Sequence, residues 1–267
     1  MKFDGSVTPH GSGRRTEHSA IAGQVGTKNT YLIPFKEVRG GVLTVMVSVN
    51  VGTTTLTATS AGVTIVGTNP TPFAIKTKAN LIGATKVRFR KQMRQESSLC
   101  QFTALGWPNY SGDNKGGVGL CQLTDPPPTA NQSWNWKDNV QGGWSLYLQK
   151  ESIARAYPAL VRNGPTFRAL VAAWNAQPSR KGKPVIAVTI PDYTADQLEL
   201  DTIRAFNGFA GGLHEFRVRV DSMGLLVVTL NAAGTAGAAD WERVPVSARV
   251  TSGDPNYVSN VEAQADF

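Results

Sequence analysis

Leucine or valine occupies each odd-numbered position of residues 43–51 and alternates with Thr44, Met46, Ser48 and Asn50. Alternation with a period of two places the apolar side chains on one face of a β-strand. Gly52-Thr53 predicts a turn, residues 55–59 a returning strand and residues 63–66 a third strand. Together these elements predict a small β module of immunoglobulin-like type over residues 37–78.

The hydrophobic period changes to that of an α-helix after residue 79. Asn80 is a candidate N-cap, and Ile82, Phe89 and Met93 fall on one helical face. Glu96 falls on the same face, which is an unusual place for a carboxylate.

More helices and a return to strand are predicted in the second half of the chain. Thr194 and Gln197 form a capping-box pattern at the start of one helix. The predicted helices cover residues 139–156, 166–176 and 194–206, the strands cover 214–220 and 224–230 around a turn at 221–224, and a small-residue loop covers 232–239. The predicted fold class is α+β: a flexible N-terminal arm (1–36), the β module (37–78), and a mainly α-helical domain (79–267) with a β-hairpin insertion near the C-terminus.

Composition restricts the class of protein and of partner. With 41% apolar and 17% charged residues among 267, the chain has the composition of a globular protein. Its net charge of +8 favours an anionic partner, but aromatic residues are not interleaved with a basic stripe, which argues against nucleic acid. No apolar run is long enough for a membrane span, and the N-terminal segment has no apolar core of a secretory signal.

The spacing of cysteine and histidine suggests no metal or cofactor. Cys100 and Cys121 are too few and too far apart for a CxxC-type site. They predict either a disulfide, worth about 3 kcal/mol, or two ordinary thiols. His10, His18 and His214 are dispersed along the chain.

Glu96 is the strongest candidate for chemistry. Burial of a carboxylate on an apolar face raises its pKa and favours the neutral acid, which is the form that a general acid needs at neutral pH. The alternative is structural, because a residue in the last turn of a helix can reach solvent.

Five motifs occur in a fixed order around and after Glu96. They are Glu96-Ser97, Gly117-Val-Gly-Leu-Cys-Gln-Leu-Thr124, Asn139-Val-Gln-Gly-Gly143, Phe206-Asn207-Gly208 and Asn256-Tyr257-Val258. In this order the sequence resembles the lysozyme-like superfamily, specifically the lytic transglycosylase and goose-type lysozyme group. The resemblance implies a lysozyme-like catalytic domain in which Glu96 is the catalytic acid. Phe206 stands where that group commonly has tyrosine, so any contact made by the tyrosine hydroxyl is lost.

Four residues of the second motif are candidate substrate ligands. Gly117 and Gly119 allow tight approach of a sugar to the main chain, or form a simple turn. Gln122 and Thr124 could bond acetamido or hydroxyl groups, as similar positions do in the group that the chain resembles; as polar loop residues they could equally be solvated.

Asn207 and Trp136 complete the candidate ligands. Asn207 precedes Gly208 at a predicted helix end, where it could also serve as a C-cap, and the segment 173–176 is a competing match to the same motif. Trp136 is one of four tryptophans near the glycines, with Trp107, Trp134 and Trp144. Such rings stack on sugars or pack in a core.

Two reactions could follow protonation by Glu96. An inverting hydrolase needs a second carboxylate to activate water, and Asp113 is the best candidate, with Asp125 weaker. The Ser-Gly-Asp-Asn sequence around Asp113 also has turn chemistry. A lytic transglycosylase needs no second carboxylate, because the C6 hydroxyl of the substrate attacks and leaves a 1,6-anhydro sugar.

The expected function is cleavage of the β-1,4 bond between N-acetylmuramic acid and N-acetylglucosamine in peptidoglycan. We expect an antibacterial effector or phage lysin that reaches the periplasm or cell wall without a classical signal peptide. Its partners would be peptidoglycan, a secretion-system or phage carrier, and an immunity protein. The alternative is a non-catalytic wall-binding or structural protein with the same fold.

Overall fold

A computed structural model describes strands Lys2–Gly5 and Gly13–Thr16 and residues 40–112, 116–207, 213–249 and 253–267. The described residues form seven α-helices and several small, mainly antiparallel sheets, which agrees with the predicted α+β class. The chain divides into two compact units. The first unit comprises residues 1–85, 93–143 and 267, and the second comprises residues 86–92 and 144–266.

The β-strands of the first unit form one sheet and one ribbon. The sheet has the order β2-β1-β3-β6 with antiparallel neighbours, and the ribbon pairs β4 with β5. The strands are β1 (Lys2–Gly5), β2 (Gly13–Thr16), β3 (Gly41–Thr44), β4 (Met46–Val51), β5 (Thr54–Thr59) and β6 (Val63–Ile65). The predicted arm, residues 1–36, therefore contributes two strands to the sheet.

The single strand predicted over residues 43–51 is broken at Val45. Leu43 pairs with Val63 and Met46 with Thr59. Between these two pairs, residues 60–62 lie opposite residues 44–45, so the returning chain carries one extra residue. The Ser60 hydroxyl accepts a hydrogen bond from the Val45 N–H at 3.0 Å. An extra residue of this kind bends a strand pair, which separates β3 from β4.

The β4–β5 ribbon is exposed on both faces. Every residue of β4 and β5 is exposed, and no charged residue occurs between Gly41 and Ile75. The valines that predicted a buried strand face therefore lie at the surface.

Helix α1 (Pro72–Leu81) corrects the predicted helix start at Asn80. Thr71 is the N-cap and accepts a hydrogen bond from the Ala74 N–H, and Pro72 occupies the first turn, where proline is well tolerated. Asn80 lies in the last turn, and Gly83 has a φ of 76° just after the helix.

Helix α2 (Val87–Ser97) carries part of the predicted apolar face, because the third member, Ile82, is the C-cap of α1. Phe89 and Met93 are both buried at 1% exposure, whereas Glu96 is partly exposed. Helices α3 (Ala130–Trp134) and α4 (Trp136–Asn163) follow. Helices α2 and α4 each contribute residues to both units, and the division into arm, β module and catalytic domain stays a prediction.

The second unit contains the remaining helices and strands. They are α5 (Pro165–Asn175), β7 (Ala187–Thr189), α6 (Ala195–Phe206), β8 (Phe216–Val218), β9 (Val228–Leu230), β10 (Ala236–Ala239), β11 (Trp241–Arg243) and α7 (Tyr257–Ala263). The capping box predicted for α6 is confirmed: Thr194 and Gln197 bond each other's backbone N–H reciprocally.

The hairpin predicted around residues 221–224 forms next to its turn, and the strands beyond it differ from the prediction. The Asp221 N–H bonds Leu225 O at 2.8 Å and Val220 pairs antiparallel with Leu226, but farther from the turn the two strands take other partners. Strand β8 pairs with β11, and β9 joins a sheet of order β7-β10-β9. The segment 232–239, predicted as a loop, supplies the central strand β10. A core of Phe167, Ile190, Leu226 and Ala239 lies in this unit.

In the described part of the chain, no helix combines the length and apolar character that a membrane span requires.

Candidate functional site

Glu96 is the penultimate residue of α2 and is partly exposed. The helix ends because Ser98 and Leu99 adopt left-handed φ values of 53° and 65°, which reverse the chain direction. Ser97 is buried, and its hydroxyl lies 3.0 Å from Leu120 O and 3.2 Å from Met93 O. The end of α2 is thereby attached to the segment that we name the glycine loop (residues 117–124).

Two influences oppose ionisation of the Cys121 thiol in this loop. Burial, and additionally the negative charge of Glu96, raise the pKa of the Cys121 thiol far above its ordinary value. The thiol is therefore neutral. Cys100 and Cys121 are both free thiols, so the alternative of a disulfide is not formed.

Gly119 lies between two buried carboxamides. Its φ is 74°, and a Cβ atom at this position would lie 2.4 Å from Gln101 Oε1 and 2.6 Å from Asn139 Nδ2. The Gly119 N–H donates to Asn109 O at 2.8 Å. The protein's own side chains therefore require glycine at this position, and the approach of a sugar is not needed to explain it.

The Gln122 side chain accounts in the same way for the glycine at position 117. A Cβ atom on Gly117 would lie 2.7 Å from Gln122 Oε1. Gln122 has a left-handed φ of 46°, and its Nε2 donates to Gly119 O at 2.9 Å. Among the described residues its buried Oε1 has no hydrogen-bond partner. Of these three candidates, Gln122 therefore retains an acceptor that is not used within the loop.

Thr124 and Trp136 are both partly exposed. The Thr124 hydroxyl donates to Gln122 O at 3.0 Å, which fixes the backbone of Gln122 in its left-handed conformation. Trp136 is the first residue of α4, and the Lys137 ammonium lies 5.7 Å from the centre of its ring. Both side chains remain available for a ligand.

The other three tryptophans mainly pack within the protein. In the first unit Trp134 is buried, with its ring 5.8 Å from Trp107 and 6.2 Å from Phe102. In the second unit Trp144 is buried and stacks on Tyr147 at 5.3 Å. The predicted tryptophan cluster is thus divided between two aromatic cores.

Asn207 and its competitor Asn175 both have structural partners in the second unit. Asn207 is the C-cap of α6, and its Nδ2 donates to Asp254 O at 2.8 Å. Asn175 donates to Val171 O and Ile186 O at 3.1 and 3.0 Å and accepts from the Ile186 N–H at 2.9 Å. Asn175 therefore holds the chain just ahead of β7.

The second-carboxylate candidates remain predictions. Asp113 lies outside the described residues, and Asp125 is exposed. No group of three or more His, Cys, Asp or Glu side chains able to hold a metal ion is found in the described ranges.

The second unit contains two buried ionic clusters that the sequence did not indicate. Asp201 is fully buried, and its carboxylate lies 2.8 Å from His214 Nδ1 and accepts the Glu215 N–H at 2.6 Å. Glu215 is also fully buried, and its Oε1 accepts from Arg243 at 2.9 Å and Arg249 at 2.6 Å. Neither cluster has a periodic signature, because each joins residues distant in sequence.

Comparisons with protein-family models, with curated proteins and with solved structures found no match to this chain.

Proposed function

We propose that the protein cleaves peptidoglycan glycan strands at the β-1,4 bond between N-acetylmuramic acid and N-acetylglucosamine, as a muramidase or a lytic transglycosylase. One observation carries the proposal: the Glu96 carboxylate is partly exposed at the end of α2, and the hydroxyl of the next residue, Ser97, bonds Leu120 O of the glycine loop at 3.0 Å. An acid group at the rim of a fixed loop is what proton donation to a glycosidic oxygen requires. The ordered motifs that resemble lysozyme-like enzymes support the same assignment.

In the proposed reaction, protonated Glu96 donates its proton to the oxygen that leaves the muramic acid C1. The bond breaks with both electrons going to that oxygen, and positive charge develops on the sugar ring. The reaction can then be completed by either of two routes. Water activated by a second carboxylate, for which Asp113 is the candidate, gives hydrolysis. Alternatively, the C6 hydroxyl of the muramic acid attacks C1 and Glu96 takes back a proton, which gives a lyase product.

Gln122, Thr124 and Trp136 are the proposed substrate contacts. The Gln122 Oε1 is buried without a partner among the described residues, so the carboxamide has to rotate toward the substrate to accept from an acetamido N–H or a hydroxyl group. Trp136 offers a ring for a sugar face. The net charge of +8 suits a wall polymer rich in carboxylates. On this proposal the protein is an antibacterial effector or a phage lysin that acts at the cell wall.

The test is clearance of a suspension of purified cell walls by wild type and by Glu96→Gln. Glutamine keeps the size of the side chain but cannot donate the proton, so we expect at least about a hundredfold slower clearance. Asp138→Asn is the matched control, because it neutralises another partly buried carboxylate of the same unit, and it should clear walls at the wild-type rate.

Three outcomes are informative. Equal clearance by wild type and Glu96→Gln would refute Glu96 as the acid. Sedimentation of the wild type with walls that it never clears would identify a non-catalytic wall-binding protein instead. If walls are cleared, mass spectrometry of the released fragments separates 1,6-anhydro ends, from a transglycosylase, from reducing ends, from a hydrolase.

The pH profile provides a second check on the acid. Because the role requires protonated Glu96, the rate should fall as alkaline pH removes that proton. A rate that still rises above about pH 9 would contradict proton donation by a carboxylic acid.

A further inference from the structure

We propose that Gln101 and Asn139 are positioning residues, whose two carboxamides hold the glycine loop in one conformation beside Glu96. This inference rests on the proposed function, because it assigns the loop as the wall against which the substrate meets the acid. Neither side chain is proposed to touch the substrate. Both are fully buried, at 0% exposure.

Both polar atoms of the Asn139 carboxamide form hydrogen bonds, to the glycine loop and to Gln132. Its Oδ1 accepts the Cys121 N–H at 2.9 Å, and its Nδ2 donates to Val118 O at 2.9 Å and to Gln132 O at 3.0 Å. One side chain thus bonds both sides of Gly119 and fixes the backbone of the residue whose thiol lies near Glu96.

Gln101 makes the corresponding contacts one residue earlier. Its Oε1 accepts the Leu120 N–H at 3.1 Å, and its Nε2 donates to Ser133 O at 2.8 Å and Gln132 O at 3.2 Å. The two carboxamides therefore tie consecutive loop N–H groups to the chain just before α4.

Two carbonyl groups of the loop are also bonded. Gly119 O accepts from the Gln122 N–H at 3.2 Å, and Leu120 O accepts from the Ser97 hydroxyl. A buried segment in which most N–H and C=O groups are paired has few alternative conformations. The carboxamides are neutral, so this rigidity is obtained without a further charge beside the acid.

Truncating either carboxamide should lower the rate of reaction more than the affinity for substrate. The two carboxamides of Gln101 and Asn139, which we call the clamp, fix the shape of the loop. A displacement of about 1 Å near reacting groups can lower a rate about a hundredfold. We expect Gln101→Ala and Asn139→Ala to reduce kcat at least tenfold while KM stays within about threefold.

The experiment measures kcat and KM on soluble, peptide-free peptidoglycan glycan strands, at a temperature where each variant is fully folded. Asn175→Ala is the matched control. Asn175 also makes two donor bonds and one acceptor bond to backbone groups, but none to the glycine loop. It should lose stability as Asn139→Ala does and keep the wild-type kcat.

Hydrogen exchange provides a readout that does not depend on activity. The amides of Leu120 and Cys121 should be protected in the wild type and in Asn175→Ala. The Leu120 amide should exchange faster in Gln101→Ala and the Cys121 amide faster in Asn139→Ala, because each loses its buried acceptor. If Asn139→Ala does not fold, the comparison between Gln101→Ala and Asn175→Ala decides.

The failures of the two proposals are distinguishable. A wild-type protein that cleaves nothing overturns the proposed function and the positioning role together. A wild type that cleaves, with Gln101→Ala and Asn139→Ala as active as Asn175→Ala, overturns the positioning role alone. Unchanged exchange at both amides in these variants would show that the carboxamides do not hold the loop.

Discussion

The two compact units bury polar groups by different means. In the first unit, neutral side chains hold the glycine loop: Gln101, Asn139 and Ser97 bond its backbone. In the second unit, ionised side chains are paired with each other, as in the bonds of Glu215 to Arg243 and Arg249. Neutral groups need only hydrogen bonds when they are buried, whereas a buried charge needs a compensating charge as well.

This difference matters most around Glu96. A charged clamp beside a proposed general acid would favour one of its protonation states through Coulomb interaction. A clamp of carboxamides fixes geometry and leaves the proton affinity of the acid to its other surroundings. This contrast predicts that the stability of the first unit depends mainly on side-chain shape around the loop, and that of the second unit on the pairing of buried charges.

Arg249→Met should have the largest effect on stability. It removes one of the two guanidinium partners of Glu215, whose carboxylate is fully buried. Leaving a buried charge undercompensated costs about 3–5 kcal/mol, which urea unfolding would measure. Adding Glu215→Gln to this variant should recover part of the loss.

Arg217→Met is the control for this prediction. Arg217 makes an equally short bond, 2.7 Å, to Glu242, but its side chain is 43% exposed. Its removal should cost about 1 kcal/mol or less. Equal losses for the two arginine variants would show that burial of the pair does not matter.

Gly119→Ala should have the next largest effect, and it tests sensitivity to shape. The new methyl group would overlap the carboxamides of Gln101 and Asn139 at a φ of 74°, so we expect a loss of about 2–4 kcal/mol. Gly83→Ala has nearly the same φ, 76°, with open space around it, and should cost only the backbone strain of about 1–2 kcal/mol. A loss for Gly119→Ala no greater than that for Gly83→Ala would mean that the loop yields to the methyl group.

The sequence predicts an element well when the residues that determine it are close together in the chain, and poorly when they are far apart. Helix α6 was predictable because Thr194 and Gln197, three residues apart, cap it. Strand β10 was missed because its Ala-Gly-Ala-Ala sequence has little strand propensity and it forms only between β7 and β9. Helix α1 departs from the prediction because Thr71 and Pro72 form its start, whereas Asn80 lies in its last turn.

The candidate site shows the same division. Glu96 was found because a carboxylate interrupts an apolar helical face. The clamp was not found, because a buried Gln101 or Asn139 looks like any surface amide in a sequence. Only the fold brings Gly119 between them and shows why glycine is required.

Glu151→Gln should have the smallest effect, and it tests the charged side of the contrast through pH. Burial alone would raise the pKa of Glu151, but bonds from Lys86 and Arg155 outweigh it, so the pKa lies below its ordinary value. A lowered folded-state pKa stabilises the protein above the unfolded value of about 4.3, and the benefit is lost as pH falls through the folded value.

The wild type should therefore exceed Glu151→Gln by about 1 kcal/mol in unfolding free energy at pH 7. The gap should close in acid, as thermal unfolding at a series of pH values would record. A gap that stays constant down to about pH 2 would assign the effect to packing instead of charge.

The burial of Cys121 turns the glycine loop into a chemical reporter of its own motion. Alkylating reagents attack the thiolate, and both burial and the charge of Glu96 oppose the thiolate while the loop is closed. Cys121 should thus react only in molecules whose loop has opened, whereas the partly exposed Cys100 can be reached from the folded surface. The ratio of the two labelling rates therefore measures how much of the time the loop is open, without an introduced cysteine.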